Sequence, residues 1–258
     1  MASVVSILTF VAVLFFGMLA MIELGRRLRV RQHAMHAEGA GLGLGAVEGA
    51  VFALLGLLIA FTFSGAASRF DTRRQLIVEE ANDIGTAYLR LDLLPPATQP
   101  PLREKFRRYV DARLASYQAI LDPERARAEH TRALGLQTEI WRDAVAASQQ
   151  SPTTQASMLL LPALNAMIDI TTTRTTALRM HPPLVIFFLL GGIALASSLF
   201  AGYSMAEASS RSWLHVIGFA AILALSVYVI LELEYPRRGQ IRVNAFDQVL
   251  VDVRDSMK

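Results

Sequence analysis

The side chains that could do chemistry in this sequence are few and scattered. His33 and His36 stand at i, i+3 with Glu38 close behind, a spacing that could touch a metal ion. The same trio in a polar loop is ordinarily just solvated. The glycine run GAGLGLG, ending at Gly45, has the composition of a phosphate cradle. It opens an apolar helix and follows no strand, so a dinucleotide site does not result. No P-loop, HExxH or nucleophile elbow is present. The chain has no Cys, which excludes disulfides and thiolate metal sites. The residues therefore predict no enzyme, no metal and no cofactor.

More telling are the ionisable and aromatic residues beside the apolar runs. Glu48 lies near the start of the second run, where an unpaired carboxylate is costly and often functional. Its other reading is a headgroup-level residue reaching water. Phe52, Leu55, Ile59 and Phe63 recur every three to four positions and share one helical face. That row is either a hydrophobic constriction that gates by dewetting or ordinary packing. Past the run, Arg69 and Arg73 are at i, i+4, as are Phe70 and Arg74. Repeated around an oligomer, Arg69, Arg73 and Arg74 would ring a pore mouth with positive charge. Equally, they would anchor one helix at an anionic leaflet. Glu79, Glu80, Asn82, Asp83, Thr86 and Arg90 follow within a few turns. They are candidates for a structural polar network with Asn165, Asp169 and Arg174. The run Thr171 to Thr176 is rich in β-branched residues for a helix, and it either covers a hydrated vestibule or packs against the arginines.

Four apolar runs must position these groups: Val4–Leu24, Val47–Ala66, Leu184–Met205 and Leu214–Leu233. Each reaches the roughly 20 residues that a helix needs to cross a hydrocarbon core of about 30 Å. The first has no Lys or Arg at its start and runs directly into Arg26-Arg27-Leu28-Arg29, so it is read as a retained span, not a leader. Four spans place both termini and the middle region on one side of a lipid bilayer. Counting membrane-proximal arginines gives eight on that side, including Arg174, Arg179, Arg237, Arg238 and Arg242, against five on the other. The middle region and termini are therefore expected in the cytoplasm. A net charge of +3 and the lack of any nucleic-acid signature leave no case for a nucleic-acid partner.

Between the second and third spans, residues 67–180 hold 15 Lys or Arg and 13 Asp or Glu, so they face water. No period-2 alternation marks a strand. Leu102, Phe106, Tyr109, Val110, Leu114, Tyr117 and Leu121 form one face of a helix started by Pro100-Pro101. Leu134, Trp141 and Val145 belong to a second helix ending near Ser151-Pro152. A third runs from about Thr154 to Met180, with Pro162 as a kink or late start, before His181-Pro182-Pro183 breaks it. No Pro lies between Ala66 and Leu94. The second span is thus expected to continue as one helix to about Asp92, roughly 70 Å at 1.5 Å per residue. The expected fold is an all-α membrane protein of four transmembrane helices, with a helical cytoplasmic domain between the second and third. Its parts are residues 1–66 with the first two spans, 67–181 as the helical domain, 182–235 with the last two, and a tail at 236–258.

These residues carry a resemblance. Phe61-Thr62-Phe63-Ser64, Ser68-Arg69-Phe70-Asp71, Arg73-Arg74, Glu79-Glu80-Ala81-Asn82, Ile84 to Arg90 and Leu94-Pro95 are similar to a bacterial membrane-protein family called bestrophin-like. Leu164-Asn165 with Met167-Ile168-Asp169, and Glu234, Pro236 and Gly239, agree more weakly. The resemblance implies a multi-pass protein of the bacterial inner membrane. It also implies a homo-oligomer, five subunits by analogy, that passes inorganic ions, anions by the same analogy. No bestrophin pore motif occurs, so selectivity is not carried over. The sequence leaves two further readings open. One is a membrane-anchored scaffold or sensor with an exposed apolar patch on the helices of residues 100–150. The other is a proton- or cation-coupled transporter using a buried Glu48.

Overall fold

The computed structural model describes residues 4–35, 44–119, 122–150, 154–206, 213–237 and 244–257. Every regular element among them is helical: α1 (Val4–Met35), α2 (Leu44–Leu89), α3 (Gln99–Gln118), α4 (Pro123–Gln149), α5 (Gln155–Arg179), α6 (Leu184–Met205), α7 (Trp213–Glu234) and α8 (Gln248–Ser256), with short 3-10 turns at Arg90–Leu93, Pro96–Thr98 and Asn244–Asp247. Four are long and apolar enough to cross a bilayer: α1, α2, α6 and α7. The chain divides into two compact units. Residues 1–69 and 181–240 form the first, and residues 70–180 with 241–258 the second.

In the first unit α1 packs on α6 and α7 around Met18, Leu14, Leu190, Ala194, Ala220 and Val227. Apolar burial cannot drive this inside lipid, whose tails are as apolar as leucine, so small residues that admit close approach matter most. Gly25 and Gly202 supply it. A Cβ on Gly25 would stand 2.0 Å from the Leu199 carbonyl oxygen, and one on Gly202 would stand 1.9 Å from that of Ile22. The glycines at the head of α2, Gly45, Gly49 and Gly56, have no neighbour within 4 Å of such a Cβ. Within the chain, the close approach is made by Gly25 and Gly202.

Helix α1 also outruns its apolar segment by about three turns. Glu23 accepts from Arg26 at 3.0 Å and from Arg27 at 2.8 Å, the i, i+3 and i, i+4 pairings that support an exposed helix. Arg29 lies over the Tyr203 ring of α6 at 4.7 Å. The charged turns are thus stable as helix although they cannot sit in hydrocarbon.

In the second unit α4 starts as its sequence dictates. The Asp122 side chain caps the Arg125 amide at 3.0 Å, and Pro123 occupies the first helical position. The Pro100-Pro101 pair lies in the first turn of α3, which begins at Gln99 without a side-chain cap. Tyr109, Phe106 and Leu102 from α3 pack with Ile140 and Leu136 of α4 and Leu160, Leu164 and Met167 of α5. Lys105 joins α3 to α4 by reaching Glu139 and Asp143 at 2.8 and 2.7 Å. Pro162 neither starts nor ends α5, which runs through it. Pro162 and Met158, whose carbonyl loses its amide partner there, are both exposed at the surface and not sealed in the core. The C-terminal residues, expected only as a tail, include α8. It buries Leu250 in the same core and pairs Arg254 with Asp111 of α3 at 2.6 Å.

Candidate functional site

The predicted groups fall into three clusters. On the membrane part of α2, the row Phe52, Leu55, Ile59 and Phe63 is divided. Leu55 is 3% exposed and belongs to the first unit's core, with Ile59 partly buried against it. Phe52 meets Phe219 of α7 edge to face at 6.0 Å. Phe63 is 45% exposed and is the row's outward member. Val47, Leu54, Leu57 and Phe61 are also exposed along this stretch. The sequence reading did not separate these two faces, because apolar residues occur all round the helix and leave no periodic contrast. Glu48 accepts a hydrogen bond from the Ser204 hydroxyl of α6.

The arginines beyond the apolar run hold protein acceptors. Arg69 donates through Nε to Glu234 Oε1 at 2.8 Å, and Glu234 is 1% exposed at the end of α7. His181 Nδ1 stands 3.5 Å from the other oxygen of Glu234, and its ring stacks on Tyr235 at 4.7 Å. In the second unit, buried Arg73 donates to the carbonyls of Ala177 at 3.2 Å and Met180 at 2.9 Å. It thereby caps the last turn of α5, whose carbonyls lack amide partners. Arg74 pairs with Asp71 at 3.0 Å and lies over Phe246 at 4.2 Å.

The third cluster is a buried polar core around Glu80, which is 0% exposed. Arg113 Nε reaches its Oε1 at 2.6 Å, and Arg174 Nη1 and the Tyr117 hydroxyl reach its Oε2, the hydroxyl at 3.0 Å. Arg174 continues to Asp247 at 3.1 Å and lies over the Tyr117 ring at 3.7 Å. Two carboxylates thus face two guanidinium groups, and the charges cancel. Burial pushes the Glu80 carboxyl up, but Arg113 and Arg174 outweigh it and hold it below the ordinary carboxylate value. Burial raises the Tyr117 and Tyr109 hydroxyls, so both stay neutral. Burial, then the Arg113 charge, lowers His130, which lies 3.4 Å from that guanidinium. Beside this core, Gln137 Nε2 donates to the Tyr109 hydroxyl at 3.0 Å and to Thr171 Oγ1 at 2.9 Å.

Of the predicted polar network, Glu80 and Arg174 meet directly. Asn165 bonds Asp169 on its own helix at 3.0 Å, and Arg90 reaches the Leu159 carbonyl at 2.6 Å. Glu79, Asn82 and Thr86 are exposed on α2, and Asp83 is half-buried. Burial, then the Glu79 and Glu80 charges, raises Asp83. Within the Thr run, Thr171 is buried, while Thr173 and Thr175 bond back to the carbonyls of Asp169 and Thr171. The sequence reading missed Arg113, Tyr117 and Asp247. A signal for Arg113 exists: it stands four residues from both Tyr109 and Tyr117, as the one charge on an apolar face. His36 and Glu38 lie outside the described residues. The chemistry of the Glu80 core is mutual neutralisation of buried charge.

A family model described as "Bestrophin-like domain" matches residues 10–245 of this chain. Among solved structures, the chain is similar to a bacterial bestrophin homolog from Klebsiella pneumoniae, crystallised as a point mutant. The match has a TM-score of 0.68 and covers 94% of this chain and 98% of that one. At 13% identity the likeness is one of fold. No curated protein matches.

Proposed function

The chain belongs to the bestrophin-like family, and from that premise we propose that it is a homo-oligomeric ion channel of the bacterial inner membrane whose α2 lines the pore. The carrying observation is α2 itself. It is an unbroken 46-residue helix whose apolar part leaves Val47, Leu54, Leu57, Phe61 and Phe63 uncovered, while its later turns expose Glu79, Asn82 and Thr86. Lipid, further copies of the chain, or a lumen must meet those apolar side chains, and the polar face needs water. A pore between copies supplies all three. Phe63 is the proposed constriction, closing by dewetting, and Glu48 stands at one mouth. The middle region and both termini are placed in the cytoplasm by the arginine count, and five copies follow only the analogy.

The sign of the conducted ion turns on which charges reach the lumen. Exposed arginines would favour anions, but Arg69 and Arg73 are engaged with Glu234 and with the end of α5. Purified protein in planar bilayers under a potassium chloride gradient settles it. A reversal potential toward chloride supports anion conduction, and one toward potassium supports cation conduction. No current over a range of pH sinks the channel. Phe63→Ser should raise the current at least severalfold, because a polar side chain keeps a narrow lumen wet. Unchanged current would remove Phe63 as the gate.

A membrane-anchored sensor is the second reading, favoured by one observation. Leu134 and Trp141 of α4 are 43% and 37% exposed, the kind of apolar patch that such a role needs.

A further inference from the structure

The turns of α1 beyond its apolar run carry a face that suits neither hydrocarbon nor water. Leu24, Arg27, Leu28 and Arg31 stand at i, i+3, i+4 and i+7, so they form one stripe, and all four are exposed. The opposite face is fixed. Ile22 and Gly25 are buried at the crossing with α6, Arg29 is buried over the Tyr203 ring, and the Tyr203 hydroxyl donates to Gln32. These contacts keep the helix from rotating, and the stripe of leucine and arginine is held outward.

Position along the helix decides what meets that stripe. The run Val4–Leu24 spans roughly 30 Å at 1.5 Å per residue, the whole of a hydrocarbon core. Arg27 then lies about 5 Å past its end and Arg31 about 10 Å past it. The polar region of one leaflet is about 5–8 Å deep. Helical side chains lean toward the N-terminus, which here is back toward the bilayer. The long Arg31 chain thereby returns its guanidinium to the level of the phosphates. Leu24 and Leu28 lean the same way, toward the glycerol and the upper acyl chains.

Charge decides the kind of lipid. Arg26 and Arg27 share the one carboxylate of Glu23, and Arg31 has no carboxylate partner among the described residues. The segment from Glu23 to Arg31 therefore keeps a clear positive excess. A second copy of the chain would bring the same positive stripe against it, which repels. We infer that the stripe is a binding surface for a phospholipid with a net negative headgroup. Arg27 and Arg31 hold its phosphate, and Leu24 and Leu28 lie along its glycerol and upper acyl chains. The bilayer around α1 is continuous with this face, so its occupant is already at hand. The surface does not depend on ion conduction.

A free phosphate ion offers the same oxygens without the acyl chains, so the test separates the two. Native mass spectrometry of the full-length protein in detergent reads retained dioleoylphosphatidylglycerol and dioleoylphosphatidylcholine, with inorganic phosphate as competitor. Phosphatidylglycerol should be retained in preference to phosphatidylcholine, and phosphate should not displace it. Arg27→Gln with Arg31→Gln should weaken phosphatidylglycerol about 25-fold, about fivefold for each arginine. Both positions are exposed, so the fold is retained. Arg125→Gln with Arg127→Gln, exposed on α4, removes the same charge and should leave retention unchanged. The proposal is overturned if the two lipids are retained equally or if phosphate displaces the lipid. It also falls if the α4 pair matters as much as the α1 pair, or if the α1 pair changes the number of subunits and not the lipid retained.

Discussion

Gly202→Ala is expected to cost the membrane unit on the order of 3 kcal/mol or more, the top of the overpacking range, because the obstacle is backbone. The added methyl would lie 1.9 Å from the Ile22 carbonyl oxygen and 2.6 Å from the carbon that bears it. A flexible side chain could swing aside at small cost, but α1 can yield only by shifting bodily and losing its packing along α6. In helix association without a hydrophobic driving force, close backbone approach is much of what holds the pair. Gly25→Ala meets the same crossing from the other side, 2.0 Å from the Leu199 carbonyl oxygen and 2.9 Å from the Tyr203 nitrogen. The two substitutions strain one contact, so their costs should not add. Gly191→Ala, on the same helix with nothing within 4 Å, is the control. Thermal unfolding in detergent reads the parent, the three single variants and the double one. If Gly202→Ala melts with Gly191→Ala, the crossing is looser than described.

What the sequence disclosed, and what it hid, follows the strength of the local signal. Apolar runs gave α6 to the residue and α7 to within one, since hydrocarbon length and composition leave little freedom. The long second helix was legible because no Pro interrupts it before Leu94. The end of α1 was hidden, because hydropathy marks where a bilayer ends and says nothing of where helical pairing ends. Arg26 and Arg27 carry the helix on by bonding Glu23. Glu80 and Arg174 were both named as network candidates and do pair with each other, but their further partners Arg113 and Asp247 lie 33 and 73 residues away from them. No short-range pattern reports such pairings. The arginines of α2 were visible as charges, but their acceptors at the ends of α5 and α7 exist only once the chain has folded.

The same distant pairing makes Glu80 the most consequential charge in the second unit. Glu80→Ala should destabilise the unit by about 3–5 kcal/mol, as breaking a buried ion pair does, because Arg113 and Arg174 are left buried and facing each other's charge. Glu80→Gln keeps the shape and one acceptor for Tyr117, so it should cost less. The pH dependence has a definite sign. Folding holds the Glu80 carboxyl below its ordinary value of 4.5. Its stabilising contribution is therefore fully present above that value and is lost as pH falls through the lower folded one. Asp83 works in the opposite sense, since folding raises it and its protonation on acidification relieves repulsion from Glu79 and Glu80. An Asp83→Asn background removes that opposing contribution. In it, unfolding followed by circular dichroism below pH 5 should show stability falling with acid when Glu80 is present and flatter when it is Gln. Equal slopes, or a cost for Glu80→Ala of less than about 1 kcal/mol as for an exposed pair, would mean that water reaches these charges.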